Sequence, residues 1–316
     1  MTIAKSLWHI NSHHSAILED PLKPVPGHIE LKAVYSLISP GTERTVALGQ
    51  VPRSLYEVMQ VPYMEGGFDF PVKYGYSVVA RSREGKNYHL MHPHQDVIIV
   101  DPGSLTELPA NLPLWKAGLI SNLETALTAY WDGEPDNRDK ILLVGFGWIG
   151  SLIAGVLMLK GCQNLWVTES LPARSDLARR FGLQVINSID ASAQEFDLAF
   201  HSSSTVEGLQ TCIDSLKPEG RVIEVSWYGN RASTLNLGGN FHYKRLTIQS
   251  SQVSMIPRKM QANWNIKKRK LEVLRLLEDS WWDQYEIPVV PFEDSPGIFD
   301  NLRNNKPVGL TCLLKY

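Results

Sequence analysis

One short run constrains this chain more than any other: Gly145-Phe146-Gly147-Trp148-Ile149-Gly150. The apolar tetrapeptide ILLV (Ile141 to Val144) precedes it, and the apolar stretch SLIAGVLMLKG follows it. In that setting a strand enters a tight turn and leaves as a helix, and each glycine has a task. Gly145 makes the turn, Gly147 lets a pyrophosphate approach the backbone, and Gly150 brings helix close to strand. Phe146, Trp148 and Ile149 complete the loop, whose helix N-terminus offers free N–H groups to phosphate oxygens. The motif therefore predicts a dinucleotide site. Glu169, at the end of the next strand, is placed to accept hydrogen bonds from the adenosine ribose hydroxyls and to repel a 2′-phosphate, which favours NAD. Ser170 and Arg174 beside it leave NADP as the alternative, by gripping a phosphate if Glu169 turns away.

From Lys140 onward, apolar strands alternate with amphipathic helices at the pace of βαβ units. Strands are expected at Ile141 to Val144, Leu165 to Thr168, Gln184 to Ile186, Asp197 to His201, Arg221 to Ser226 and Leu246 to Ser250. Helices are expected to start near Trp148, Pro172 and Val206, with a further one in Asn236 to Lys244. Six such strands predict an α/β fold with a doubly wound parallel Rossmann sheet. The first 120 residues instead read as β-rich, with short apolar runs between Pro and Gly turns. After Ser251, IKKRKLEVLRLLEDSWW reads as one basic amphipathic helix, and the strand-like IPVVPF and GLTCLLKY follow it. The expected division is 1–120, 121–255, and a segment 256–316 that returns to the first domain.

Composition narrows the partners. The chain has 316 residues, enough for two domains, and its 31 Lys plus Arg against 33 Asp plus Glu give a formal charge of −2. Without a basic excess, binding along a nucleic-acid backbone is not expected. The run Lys267 to Lys270 reads as a solvated helix face. No stretch approaches the roughly 18 apolar residues that span a bilayer, and the first residues lack the apolar core of a signal peptide, so a cytoplasmic protein is expected. Cys162, Cys212 and Cys312 are scattered, which argues against both a disulfide framework and a cysteine-rich zinc site.

The order of parts, a β-rich lobe, a Rossmann unit and a returning C-terminal segment, resembles the medium-chain dehydrogenase/reductase superfamily. Within it, ISPGTE (Ile38 to Glu43), FPVKYGYS (Phe70 to Ser77), HPHQD (His92 to Asp96), SNLETAL (Ser121 to Leu127) and FHYKRLTIQSSQV (Phe241 to Val253) look like a zinc-free branch near the bacteriochlorophyllide dehydrogenase-like and threonine dehydrogenase-like sequences. The resemblance implies a GroES-like first domain, a homodimer, and hydride transfer between a nicotinamide and a carbonyl, alcohol or activated alkene. Where the zinc enzymes carry three metal ligands, this chain has Pro40, Tyr76 (in Gly75-Tyr76-Ser77) and Ser121-Asn122. None is a donor that catalytic zinc prefers, so no zinc is expected. The four-cysteine structural-zinc loop is also missing.

Without a metal, hydrogen-bond donors must stabilise the developing oxyanion. Tyr76, at the vacated histidine position, is the first candidate, with Lys73 three residues away as the cation that lowers its pKa. His92 and His94 would share one face of an extended segment, and either suits general acid–base work near neutral pH. The resemblance further implies that Glu124 and Thr125 lie near the nicotinamide. It likewise implies that His242, Arg245, Ser250, Ser251 and Gln252 line that pocket. Together with Glu43 and His92, these polar groups suggest a polyhydroxylated or anionic substrate. The expected reaction interconverts a secondary alcohol and a ketone on a polar, sugar-like small molecule. An NADPH-dependent enone or quinone reductase and a non-catalytic dinucleotide-binding regulator are the rival readings.

Overall fold

The computed structural model describes residues 2–306 and 308–316. The chain divides into two units, Met1–Ser121 with Tyr285–Tyr316, and Asn122–Gln284.

The second unit is built on a six-stranded sheet. Its strands are β1 (Ile141–Val144), β2 (Leu165–Thr168), β3 (Gln184–Val185), β4 (Phe196–His201), β5 (Leu216–Glu224) and β6 (Thr247–Ser250). Their spatial order is β3-β2-β1-β4-β5-β6 and every pairing is parallel. This is the doubly wound order, with its switch point between β1 and β4, where ligands bind beyond the carboxyl ends of the strands. All four residues of β1 are buried, as a central parallel strand covered on both faces requires. The helices are α1 (Ile120–Gly133), α2 (Trp148–Leu159), α3 (Pro172–Arg180), α4 (Ser188–Ser192), α5 (Val206–Ser215) and α6 (Ile266–Leu276). Pro172 occupies the first turn of α3, while Thr205 and Asn265 cap α5 and α6 through their side chains. Leu142, Val144, Phe196, Leu209, Ile213 and Val222 form part of the core on one face.

Three sequence expectations change here. The helix expected in Asn236 to Lys244 is reduced to a π-helical turn, Leu237–Phe241, broken by the non-helical Gly239. The basic helix stops at Leu276. Its two tryptophans lie in a separate turn, Ser280–Gln284, where the buried Trp282 indole donates to the Leu276 carbonyl at 2.6 Å. The return to the first unit starts at Tyr285, not at residue 256, and α6 stays in the second unit.

In the first unit, Thr2–Asn11 and His14–Leu22 form an antiparallel hairpin extended by Val72–Lys73 and Glu65–Gly66. A second, seven-stranded sheet centres on Ile29–Leu37, which pairs with Val78–Ser82, Val97–Val100 and the C-terminal Leu313–Lys315. The helix Pro40–Ala47, with proline in its first turn, was not anticipated. Among the described residues no helix is long and apolar enough to cross a membrane.

Candidate functional site

The three glycines of the motif meet three different environments. Gly145 has φ +97°, and a Cβ there would stand 2.7 Å from the Ser203 amide nitrogen. A Cβ on Gly150 would stand 2.1 Å from the Gly145 carbonyl oxygen and 2.6 Å from Ser202 Oγ. Gly147, by contrast, faces open space bounded only by Arg174 Nη1, 3.5 Å from the position of its missing Cβ. Gly147 is also the N-cap of α2 and has no side chain to cap it, so the first N–H groups of the helix have no intrahelical acceptor. Open backbone at a helix N-terminus with a guanidinium beside it fits a pyrophosphate.

The loop side chains divide the work. Phe146 is buried against Phe181, and Trp148 is buried with its indole donating to Asn122 Oδ1 at 3.0 Å. Ile149 is half-buried. Glu169 is turned towards the loop: its Oε2 accepts the Phe146 N–H at 2.8 Å and its Oε1 the Leu171 N–H at 2.9 Å. With the Ser170 hydroxyl also donating to Oε1, one of the roughly four lone-pair positions of the carboxylate is left for a further hydroxyl donor. Ser170 is exposed and lies 3.4 Å from Glu169 Oε1. Arg174 is half-buried over Gly147.

In the first unit the structure commits most of the expected catalytic groups to each other. Lys73 is 1 % exposed, and its ammonium serves Asp20, Glu65 and Gln95, with the Trp8 ring 5.6 Å away. It is therefore an internal counter-ion rather than the partner expected for Tyr76. Although burial pushes the Asp20 carboxyl up, Ser6, Trp8 and Lys73 together bring it below its ordinary range. Tyr76 is the half-exposed residue of an otherwise buried segment, Val72 to Ala80, and its ring packs edge-on against Tyr74.

His94 and Glu43 also turn inward. His94 Nε2 lies 2.7 Å from Glu43 Oε2, and its Nδ1 lies 2.7 Å from Ser36 Oγ, which meets the Tyr316 hydroxyl at 2.9 Å. Glu43 Oε1 accepts the Ser39 N–H at 2.7 Å. Both side chains are fully enclosed, so Glu43 does not offer a substrate contact and His94 no accessible proton. His92 stacks on Tyr63 and meets its own Pro93 carbonyl. Burial lowers its pKa to about 4, which removes it from acid–base duty near neutrality.

At the positions where the resemblance would place metal ligands, the side chains are of another kind. Pro40 opens a helix with no side-chain donor. Ser121 donates to the Tyr76 carbonyl at 2.8 Å, and Asn122 Oδ1 is engaged by Trp148. Among the described residues no group of three or more His, Cys, Asp or Glu is arranged to hold a metal. This donor set does not fit a catalytic zinc.

Glu124 is buried against Arg269 at 3.1 Å, with Arg269 also reaching Thr128 and the Val253 carbonyl. The pair fastens α6 to α1, so Glu124 is a structural carboxylate and Arg269 is not part of a solvated face. Thr125 is half-buried one position on. His242 and Arg245 are exposed and precede β6, at the amino end of the sheet, where Arg245 pairs with Glu219. They are therefore at the edge opposite the glycine loop. Ser250, Ser251 and Gln252 do lie at the carboxyl edge: the Ser251 N–H donates to the Glu224 carbonyl at 2.9 Å, and Gln252 is exposed.

One polar group at that edge was not foreseen. His201, the last residue of β4, is fully buried, and its register partner on β5 is Glu224. His201 Nδ1 lies 2.7 Å from Glu224 Oε2 and Nε2 lies 2.7 Å from Ser203 Oγ. Tyr228 donates to Glu224 Oε2 at 3.2 Å, and the Ser226 N–H donates to Oε1 at 2.7 Å. Burial and the Glu224 charge push the Tyr228 phenol above its ordinary range.

No family model matches the chain. It is 29 % identical over 174 residues to the (R,R)-butanediol dehydrogenase of Neisseria gonorrhoeae, covering 48 % of this chain and 49 % of that protein. To the D-guloside 3-dehydrogenase of Shigella flexneri it is 24 % identical over 196 residues, 58 % and 56 % of the two chains. The matches thus span about half the length of these curated relatives. The crystal structure of 2R,3R-butanediol dehydrogenase from Bacillus subtilis superposes with a TM-score of 0.78 at 16 % identity, covering 99 % of both chains. The α/β fold, a parallel Rossmann sheet and two separate, largely antiparallel sheets, is like that of this dehydrogenase structure.

Proposed function

We propose that this chain is an NAD-dependent oxidoreductase that interconverts a secondary alcohol and a ketone on a polyhydroxylated small molecule, without a catalytic zinc. The observation that carries the reading is the contrast among the motif glycines: two are closed off by backbone and the middle one stands open at a helix N-terminus beside Arg174. The names of the two curated relatives, dehydrogenases of a diol and of a guloside, support the substrate class.

A bound dinucleotide supplies the hydride donor or acceptor. The residues that would hold it are the first turn of α2 and Arg174 at the pyrophosphate and Glu169 at the adenosine ribose. Tyr76 is the proposed group that exchanges a proton with the substrate oxygen, because it is the partly open phenol of its segment. The absence of zinc rests on the unsuitable donors Pro40, Tyr76, Ser121 and Asn122. The same reading expects a cytoplasmic homodimer.

The test is a turnover panel of diols, polyols and sugar derivatives with NAD+ and NADP+, run before and after exhaustive chelation. Alcohol oxidation that survives chelation is expected. Turnover that vanishes and returns only with added zinc refutes the metal-free part, and reduction of enones alone replaces the alcohol reading.

A further inference from the structure

The cluster around His201 has a definite hydrogen-bond direction. An ionised carboxylate only accepts, so Glu224 accepts a hydrogen bond from the His201 Nδ1–H, and in the neutral ring Nε2 is then the acceptor for the Ser203 hydroxyl. Ser203 Oγ in turn is met by Thr205 Oγ1 at 2.9 Å and by the Thr205 N–H at 3.3 Å, and Thr205 Oγ1 caps α5 by accepting from Gly208 at 3.1 Å. The chain of bonds therefore runs from the first turn of α5 to Glu224, and every donor points one way.

The next residue links this chain to the glycine turn. Ser202 Oγ donates to the Gly145 carbonyl at 2.9 Å, and the same oxygen closes off Gly150. The Ser203 backbone closes off Gly145. The segment after β4 thus forms the wall against which the turn after β1 is shaped, at the switch point of the sheet.

The connectivity Ser203, His201, Glu224 matches that of an acyl-transfer triad. The N–H next to the serine, on Ser204, is however consumed by Ser226 Oγ at 3.1 Å, and His201 is fully enclosed. The arrangement orients a segment rather than attacking a substrate.

We propose that His201 and Glu224 are positioning residues for dinucleotide binding: the pair fixes the Ser203 hydroxyl and so holds Ser202–Thr205 in the shape that the glycine turn requires. The proposal rests on the dinucleotide reading above. It acts through the turn, with no contact between the pair and the cofactor required. The groups facing the pair are Tyr228 and Ser226 from the segment after β5, Cys212 from α5, which interacts with Glu224 and Tyr228, and Arg231 over the Tyr228 ring.

The experiment titrates the whole chain with NADH and follows nicotinamide fluorescence. Glu224→Gln and His201→Gln are expected to raise Kd about tenfold or more, the cost of a buried hydrogen bond to a charged group. Thr128→Ala removes a buried hydroxyl that serves Arg269 in the same unit, and should leave Kd within about twofold while lowering Tm. In the wild type labelled with 15N-histidine, His201 should show the Nδ1–H tautomer, and its ring nitrogens should shift when NADH is added. That measurement stands even if a variant fails to fold. The proposal is overturned if wild type binds NADH and either Glu224→Gln or His201→Gln binds within about twofold of it, if Thr128→Ala weakens binding equally, or if His201 carries its proton on Nε2. A wild type that binds neither NADH nor NADPH overturns the dinucleotide reading, and the positioning role with it.

Discussion

Replacing Gly147 and Gly150 separately by alanine tests the site more sharply than deleting a charged group, because the structure gives the two substitutions opposite signatures. At Gly150 the added methyl would sit 2.1 Å from the Gly145 carbonyl oxygen and 2.6 Å from Ser202 Oγ. The carbonyl is backbone and cannot rotate away, so helix α2 and the turn must part by about 1 Å. Overpacking of this kind costs about 1–3 kcal/mol, and the better helix propensity of alanine returns up to about 1 kcal/mol. At about 2–4 °C per kcal/mol, Gly150→Ala should lower Tm by a few degrees and weaken dinucleotide binding as well. At Gly147 the backbone is extended, φ −76° and ψ −166°, and only the far end of Arg174 lies near. Gly147→Ala should therefore leave Tm within about 1 °C, yet raise the NADH Kd about tenfold by filling the space a phosphate must enter. Calorimetry and fluorescence titration on both variants decide the matter. Wild-type affinity in Gly147→Ala, or a Gly150→Ala protein as stable as wild type, refutes the assignment of roles.

Other expectations follow from the first unit. Tyr76→Phe should lower kcat about 100-fold with the NADH Kd unchanged; equal activity removes Tyr76 from the reaction. Lys73→Met should reduce Tm without changing kcat per folded molecule, by less than the ~3–5 kcal/mol of an enclosed pair because Glu65 is 57 % exposed; a selective loss of kcat would restore it as a catalytic cation. Burial, assisted by Arg303 and His94, lowers the His9 pKa from 6.5 to about 3, and burial lowers that of His92 to about 4. The unfolded chain binds these protons first, so stability is intact above about pH 6.5 and falls as the pH drops towards 4. Unfolding free energies from urea titration at pH 7 and pH 5 should differ by about 1–2 kcal/mol per histidine, and His92→Gln should flatten the slope; a free energy independent of pH would contradict the burial.

The parallel sheet and the glycine turn are legible in the sequence because their signals are local. A glycine pattern between ILLV and an apolar helix determines both the turn and the packing around it. Much of the catalytic assignment was not legible, because the deciding partners are remote. Lys73 meets Asp20 from 53 residues away, His94 meets Glu43 across 51, and Glu124 meets Arg269 across 145. Each polar residue looked available until the fold supplied its partner. His201 and Glu224 did leave a trace: central parallel strands are apolar throughout, yet DLAFH and RVIE each end on an ionisable residue.

The strand Leu313–Lys315 pairs with Ile29–Leu37, so the first unit is stitched from segments far apart in the chain, while Asn122–Gln284 is continuous. At about 5–20 residues per second, Leu37 waits roughly 15–55 s on the ribosome before its partner exists. During that interval Asn122–Gln284 can already be folded, whereas the Tyr35–Leu37 end of that edge, beyond the stretch covered by Val97–Val100, stays open to wrong pairings. Chaperone dependence in biogenesis should thus concentrate on the β segments around Tyr35–Leu37.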